Sequence, residues 1–131
     1  MFEGRLLDHI GIACLNPDEN ARWYMDKLNF TLKGRFPRKD DSGFSTWFVT
    51  NGPVTYEIYS RAAVPEDARG KVDHIALVSD DIESDYRYCV DNGYTICSKG
   101  IESIPDRFAN GVRYFKVKSP MGEEVEFSQT L

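Results

Sequence analysis

The sequence predicts an α+β fold built from two βαβββ modules. Two observations carry that reading: short alternating apolar runs are separated by two helical patterns, and the two halves of the chain read alike. The tripeptide Asp-His-Ile occurs at Asp8-His9-Ile10 and again at Asp73-His74-Ile75, 65 positions apart (9 and 74). Each copy lies in a run of strand character, residues 7–13 and 72–78.

A helix with its own start signal follows each opening strand. In the first, Asn16 is a good N-cap, Pro17 fits the first helical position and Glu19 completes a capping-box-like pattern. Ala21, Tyr24, Met25 and Leu28 then share one face at helical spacing. In the second, Asp80 and Glu83 have the capping-box spacing, Ile82, Tyr86, Cys89 and Val90 form the stripe to be buried, and Asn92-Gly93 stops the helix. Phe30 and Tyr94 close the two matching turns.

Three further strands complete each half, at about 31–36, 45–50 and 54–60, then at about 95–98, 112–118 and 123–128. Asn51-Gly52-Pro53 and Ser119-Pro120-Met121-Gly122 are the turns before the last strands. Those strands align as Tyr56-Glu57-Ile58-Tyr59 with Val125-Glu126-Phe127-Ser128, an offset of 69 (57 and 126), so the halves differ by small insertions. The chain reads as one domain over 1–131, with module 1 at about 5–61, a linker at about 61–71 and module 2 at about 72–131.

Composition narrows the function classes. Hydrophobic residues make up 41% and charged residues 28%, which is ordinary globular usage and argues against disorder. No apolar run approaches the roughly 20 residues that span a bilayer, and the start lacks the apolar stretch of a secretory signal. The three cysteines, Cys14, Cys89 and Cys97, form no CxxC pair; neither a disulfide framework nor a zinc-thiolate site is expected, and the natural compartment is the reducing cytoplasm. Net charge is -5, and the densest basic cluster, Arg35 to Lys39, is cancelled at once by Asp40 and Asp41, which argues against nucleic-acid binding. No nucleophile triad, Walker loop or dinucleotide fingerprint is present.

The informative residues are the polar ones that interrupt the strands. Residues two apart share a strand face, so His9 goes with Leu7, Gly11 and Ala13 while Ile10 and Ile12 face the helix. His74 goes with Val72, Ala76 and Val78. Glu57 points away from Tyr56 and Ile58, and Glu126 away from Val125 and Phe127. Each group alone has a bland explanation: a lone strand histidine is usually structural, and a strand glutamate usually faces solvent. The combination does not. The only two histidines occupy equivalent repeat positions, and a glutamate occupies the equivalent last-strand position of each half. Two imidazoles and two carboxylates suit one divalent ion and offset its charge, whereas inward carboxylates without one would repel. Zinc, nickel, cobalt, manganese and ferrous iron all accept such a set.

With these motifs the chain resembles the vicinal oxygen chelate superfamily, which includes glyoxalase I, bleomycin resistance proteins and dioxygenases, and most closely its glyoxalase I-like branch. The resemblance runs from Leu7 to Gln129 and rests on Leu7-Asp8-His9-Ile10-Gly11-Ile12, Tyr56-Glu57-Ile58-Tyr59, Val72-Asp73-His74-Ile75-Ala76 and Gly122-Glu123-Glu124-Val125-Glu126-Phe127. It implies a curved mixed sheet with helices on its outer face, a metal held by His9, Glu57, His74 and Glu126, and a homodimer. It also implies proton transfer by Glu57 or Glu126, as in the interconversion of a hemithioacetal and a 2-hydroxy thioester. A glutamate at position 57 favours this chemistry over extradiol or fosfomycin-type members, with an acyl-CoA epimerase-like isomerase and a non-catalytic drug- or metabolite-binding protein as the alternatives. Glutathione-using members typically carry an arginine four residues after the first ligand and an asparagine four after the second. Here those positions hold Ala13 and Arg61, so the usual clamp for the glutathione carboxylate is missing or rebuilt. Tyr59 shares the face of Glu57, and Trp47 or Phe48 comes from the adjacent strand; Tyr59, Trp47 and Arg61 are the candidate contacts to a small-molecule substrate. Arg107 and Arg113 border a glycine-containing segment near Asn110-Gly111; they are placed to meet an anionic substrate, although surface solvation is the commoner role of such cations.

Overall fold

Why the halves fold alike is visible in the computed structural model, which describes residues 3–4, 6–61, 70 and 72–131. They fall into two compact units, Met1–Glu66 and Asp67–Leu131. The first contains β1 (Ile10–Cys14), α1 (Pro17–Leu28), β2 (Thr31–Pro37), β3 (Ser45–Thr50) and β4 (Thr55–Ser60). The second contains β5 (His74–Val78), α2 (Ile82–Asp91), β6 (Glu102–Ile104), β7 (Val112–Lys118) and β8 (Glu124–Thr130). Each is a βαβββ module with its own four-stranded mixed sheet, ordered β1-β4-β3-β2 and β5-β8-β7-β6. The outer pairs β1–β4 and β5–β8 are parallel, and all other neighbours are antiparallel. The expected linker at 61–71 lies outside the described residues apart from Arg61 and Gly70.

The first helix starts as its sequence predicts. Asn16 Oδ1 accepts the Glu19 N–H at 3.1 Å, and the Asn16 amide donates to Glu19 Oε2 at 3.4 Å. Asn29 ends the helix in the left-handed region (φ 57°), and the Phe30 N–H donates to the Tyr24 carbonyl at 3.1 Å. Pro17, Asn20, Ala21 and Tyr24 are buried, with Tyr24 packed on Phe30 and Tyr56 at ring separations of 5.4 and 5.1 Å. Asp18 ties the helix start to β3 by accepting the Ser45 N–H and the Trp47 indole N–H at 3.1 and 2.7 Å.

The second helix corrects two expectations. Its N-cap is Asp81, not Asp80: Asp81 Oδ1 accepts the Ser84 N–H at 3.1 Å. Gln129 of β8 explains the shift, because its Oε1 accepts the Ile82 N–H at 3.0 Å while its amide donates to the Asp80 carbonyl at 2.9 Å. Asp80 is thereby held outside the helix. Ile82 and Cys89 are buried and Tyr86 packs on Phe115 at 5.2 Å, but Val90 is exposed rather than part of the stripe.

The strand expected at 95–98 is also corrected. Only Ile96 makes an isolated bridge, to Val117, and β6 forms later, with Glu102 opposite Tyr114. The Ser98 hydroxyl accepts the Lys116 N–H at 2.9 Å, taking the place of a backbone ladder partner, and donates to the Gly100 carbonyl at 2.9 Å. The edge of β7 is thus shared by two short segments. Apolar packing sits between each sheet and its own helix: Val49, Tyr56 and Ile58 in the first unit, Phe115, Val117 and Val125 in the second. The opposite sheet faces carry the candidate ligands.

Candidate functional site

Strand register places the four ligand candidates equivalently. In the first unit Gly11 lies opposite Glu57, two residues beyond His9. In the second Ala76 lies opposite Glu126, two residues beyond His74. His9 Nε2 is 3.8 Å from Glu57 Oε1, and His74 Nε2 is 3.8 Å from Glu126 Oε2. The repeat in the sequence is therefore a repeat in space, unit by unit.

Each imidazole has a further partner that sequence reasoning quoted only as a repeat marker. His9 Nδ1 is 2.7 Å from Asp8 Oδ2, and His74 Nδ1 is 2.8 Å from Asp73 Oδ2. A carboxylate only accepts, so each Nδ1 carries the hydrogen and each Nε2 presents its lone pair. The Asp8 carboxyl is held below the usual carboxylate range, first by its hydrogen bond to His9, then by the attraction of the same ring when it is protonated. The Asp-His dipeptide was the available signal, since an acidic neighbour that fixes the tautomer is what a metal-binding histidine requires.

The donor sets fit a divalent ion. A separation of 3.8 Å is too long for a hydrogen bond. It is within the span of two donors on one ion, given metal–nitrogen and metal–oxygen bonds of about 2.0–2.2 Å. Among the described residues these groups are gathered as pairs, and no cluster of three or more His, Cys, Asp or Glu with metal-holding geometry occurs.

The faces around the two pairs differ. In the first unit Phe48 lies opposite Glu57 and its ring meets the His9 imidazole edge-on at 5.7 Å. Phe36 meets Phe48 at 6.0 Å, and the Tyr59 ring comes to 3.6 Å from where a Cβ on Gly11 would stand. Trp47, expected on this face, is corrected: it pairs with Ile58 on the helix side, donates to Asp18, and lies under Arg22 and Arg35 at 5.5 and 4.6 Å. Phe48 is the aromatic beside the ligand pair, because the β3–β4 register sets odd and even positions on opposite faces. Arg61 follows the far end of β4, its N–H donating to the Cys14 carbonyl at 2.9 Å, and lines a different pocket with Leu15, Arg38 and Asp40.

In the second unit Lys116 takes the position that Phe48 has in the first, opposite Glu126. A pocket of about 300 Å³ opens beside the pair, lined by His74, Glu126, Lys116, Tyr114, Arg107 and Phe108 among others. The Tyr114 hydroxyl titrates above its usual value, through loss of solvent first, then through Glu102 and Glu126, with Arg107 pulling the other way. Arg113 is directed elsewhere and pairs with Glu83 at 3.0 Å. No helix among the described residues is long and apolar enough to cross a membrane.

Twin βαβββ modules, each presenting a histidine and a glutamate on its open face, define a class of small two-module proteins. The chain belongs to the Glyoxalase/Bleomycin resistance protein/Dioxygenase superfamily, whose sequence profile matches residues 6–127. It is 31% identical over 130 residues to Uncharacterized protein YwbC of Bacillus subtilis (strain 168), covering 94% of this chain and 96% of that relative. Among solved structures it is similar to SMU.1112c (TM-score 0.74, 16% identity, 96% of this chain and 99% of that one). It is also similar to a glyoxalase family protein from Enterococcus faecalis (TM-score 0.73, 20% identity, 98% and 99%). At such identities these likenesses speak to the fold. Members of this superfamily are often enzymes and commonly bind a divalent metal, while others are non-catalytic.

Proposed function

We propose that the protein is a metal-dependent lyase or isomerase of glyoxalase I type, acting on a small oxygenated substrate. The observation that carries this reading is the duplicated triplet, Asp8–His9–Glu57 and Asp73–His74–Glu126, with Asp–His distances of 2.7 and 2.8 Å and a His–Glu distance of 3.8 Å in both units. His9, Glu57, His74 and Glu126 would hold one divalent ion, from nickel, zinc, cobalt, manganese or ferrous iron. When bound, such an ion supplies a Lewis acid that stabilises negative charge developing on a substrate oxygen. Asp8 and Asp73 keep the imidazoles in the tautomer whose hydrogen is on Nδ1 and whose Nε2 lone pair is free to bind the ion. Glu57 or Glu126 takes the proton from the carbon beside that oxygen and returns it to the neighbouring carbon. For a hemithioacetal this yields a 2-hydroxy thioester, with every atom retained and no oxidant needed. Tyr59 and Phe48 offer an apolar wall next to the first pair, against which the carbon skeleton of the substrate would pack. The working assembly in this reading is a homodimer.

The test is metal content of tag-free protein, parent against His74→Ala, followed by turnover of hemithioacetals and acyl thioesters. About one divalent ion per chain, lost in the variant, is expected. Glu126→Gln should then lower turnover by at least about a hundredfold with an unchanged circular dichroism spectrum. A parent that takes up no metal from nickel, zinc, cobalt or manganese would overturn the reading in favour of a sequestering protein.

A further inference from the structure

We infer that the pocket beside His74 and Glu126 is an oxyanion subsite, in which Arg107, with Lys116 and Tyr114, holds a carboxylate or phosphate group of the substrate. It rests on the proposed function for which end of the substrate reacts, and on the second unit's own geometry for the rest.

Three observations converge. The first is an uncommitted guanidinium lining the pocket: among the described residues, Arg107 makes no side-chain hydrogen bond or ion pair. The nearby Arg113, by contrast, is engaged with Glu83 at 3.0 Å, as Arg38 of the first unit is with Asp40 at 2.7 Å. A planar fork without a partner matches the geometry of a carboxylate or phosphate.

The second is the construction of the loop that carries it. The Gly111 N–H donates to the Arg107 carbonyl at 2.8 Å, and the Leu131 N–H to the Gly111 carbonyl at 2.9 Å. Gly111 has φ +90°, and a Cβ there would stand 2.9 Å from Pro105 Cα, so the backbone closes on itself too tightly for any side chain. Phe108 sits in the left-handed region (φ 54°) with 79% of its surface exposed, yet lines the same pocket. A large apolar residue held in strained backbone at a pocket rim marks a ligand clamp more readily than a stability device.

The third is the polarity of the pocket. Its acidic end is Glu126 beside His74. From Glu126 the floor runs along β8 past Ser128 to Thr130, about 13 Å of strand. Tyr114 lies opposite Ser128 and Val112 opposite Thr130, so the hydroxyls stand between the ligand pair and the Arg107 loop. Lys116 is tethered by Glu124, 3.5 Å away and only 4% exposed, and keeps donors to spare. Glu102 is a further acidic group on this face besides Glu124, and its carboxylate accepts the Lys99 N–H at 3.3 Å. Arg107 is therefore the cation that a ligand would neutralise, and the substrate class is a small molecule with an anionic group several bonds from its reacting carbon.

The test uses full-length protein stripped of metal over a chelating resin and titrated with matched pairs: lactate against lactamide, and glycerol 3-phosphate against glycerol. Amide shifts of Arg107, Tyr114 and Ser128 should move with an anionic member and not with its neutral partner, and the stronger binder identifies carboxylate or phosphate as the preferred head. Kd should rise at least tenfold in Arg107→Gln, stay within about threefold in Arg107→Lys, and rise with salt. Equal binding of neutral and anionic probes, or an Arg107→Gln variant that binds like the parent, would overturn the subsite. Metal uptake by the same parent separates the two ideas. Metal bound without anion preference sinks the subsite alone, and anion binding without metal uptake sinks the proposed function alone.

Discussion

The Asp–His pairs set the chemistry at the smallest scale. Each aspartate is one residue from its histidine, so no long-range packing is needed to orient the ring, and the same bond forms in both units. Removing it frees the imidazole to rotate and to take either tautomer. Asp73→Ala is therefore expected to weaken metal affinity by about 10–100-fold while leaving the fold intact, by calorimetric titration; parent-like affinity would reduce Asp73 to a surface charge. Cys89 illustrates the opposite kind of residue. Burial first, and Asp85 second, push its thiol up to about 11. Its thiolate fraction at neutral pH is about one in ten thousand, so native protein should alkylate far more slowly at Cys89 than unfolded protein does. Because the folded value lies above the reference value of 9.0, its contribution to stability is complete below pH 9 and is lost as pH rises toward 11.

Helix starts and turn glycines matter at the scale of elements. Asn16 makes two bonds that close the first turn of α1, and Asn16→Ala should cost about 1 kcal/mol in urea unfolding. Gly111 is more demanding, because both its φ and the Pro105 backbone forbid a Cβ. Gly111→Ala should destabilise the protein by at least about 1 kcal/mol and disturb the Arg107 loop, visible as loss of anion-dependent amide shifts. The strand at 102–104 shows how an element can defeat pattern reading. Residues 95–98 have good strand composition, but only one bridge forms, with the Cys97 N–H on the Lys116 carbonyl and the Lys118 N–H on the Thr95 carbonyl; the Ser98 hydroxyl takes the next N–H and the pairing passes to the following segment.

Across the whole molecule, the duplicated pairs make a prediction about stability. If one ion takes donors from both units, saturating metal stabilises the folded chain by about 2.7 kcal/mol at a hundredfold excess over Kd. His9→Ala and His74→Ala should then each abolish the rise in Tm, although they lie in different units. Retention of a full metal-induced shift in either variant would mean that each pair binds alone. The core makes an independent prediction: Phe115, fully buried and stacked on Phe127 at 4.9 Å, should cost about 3–5 kcal/mol when replaced by alanine.

By itself the sequence determined the element order, the repeat, the face on which His9, Glu57, His74 and Glu126 lie, and hence the family. All of these follow from local periodicity: a period of two for strands, one of 3.6 for helices, and a capping pattern at Asn16. Only the tertiary structure decided that Phe48 rather than Trp47 stands beside the ligands, since that depends on the register between β3 and β4. Asp81 caps α2 because a glutamine from a strand far along the chain reaches its first turn. The Arg107 pocket was legible only in part: the sequence offers Arg107 and Arg113 alike as cations for an anionic substrate, and only the structure separates them, pairing Arg113 with Glu83 and leaving Arg107 on the pocket. Periodicity is a property of neighbours in the chain, whereas register, caps supplied from afar and pocket walls are set by contacts between segments that no local pattern encodes.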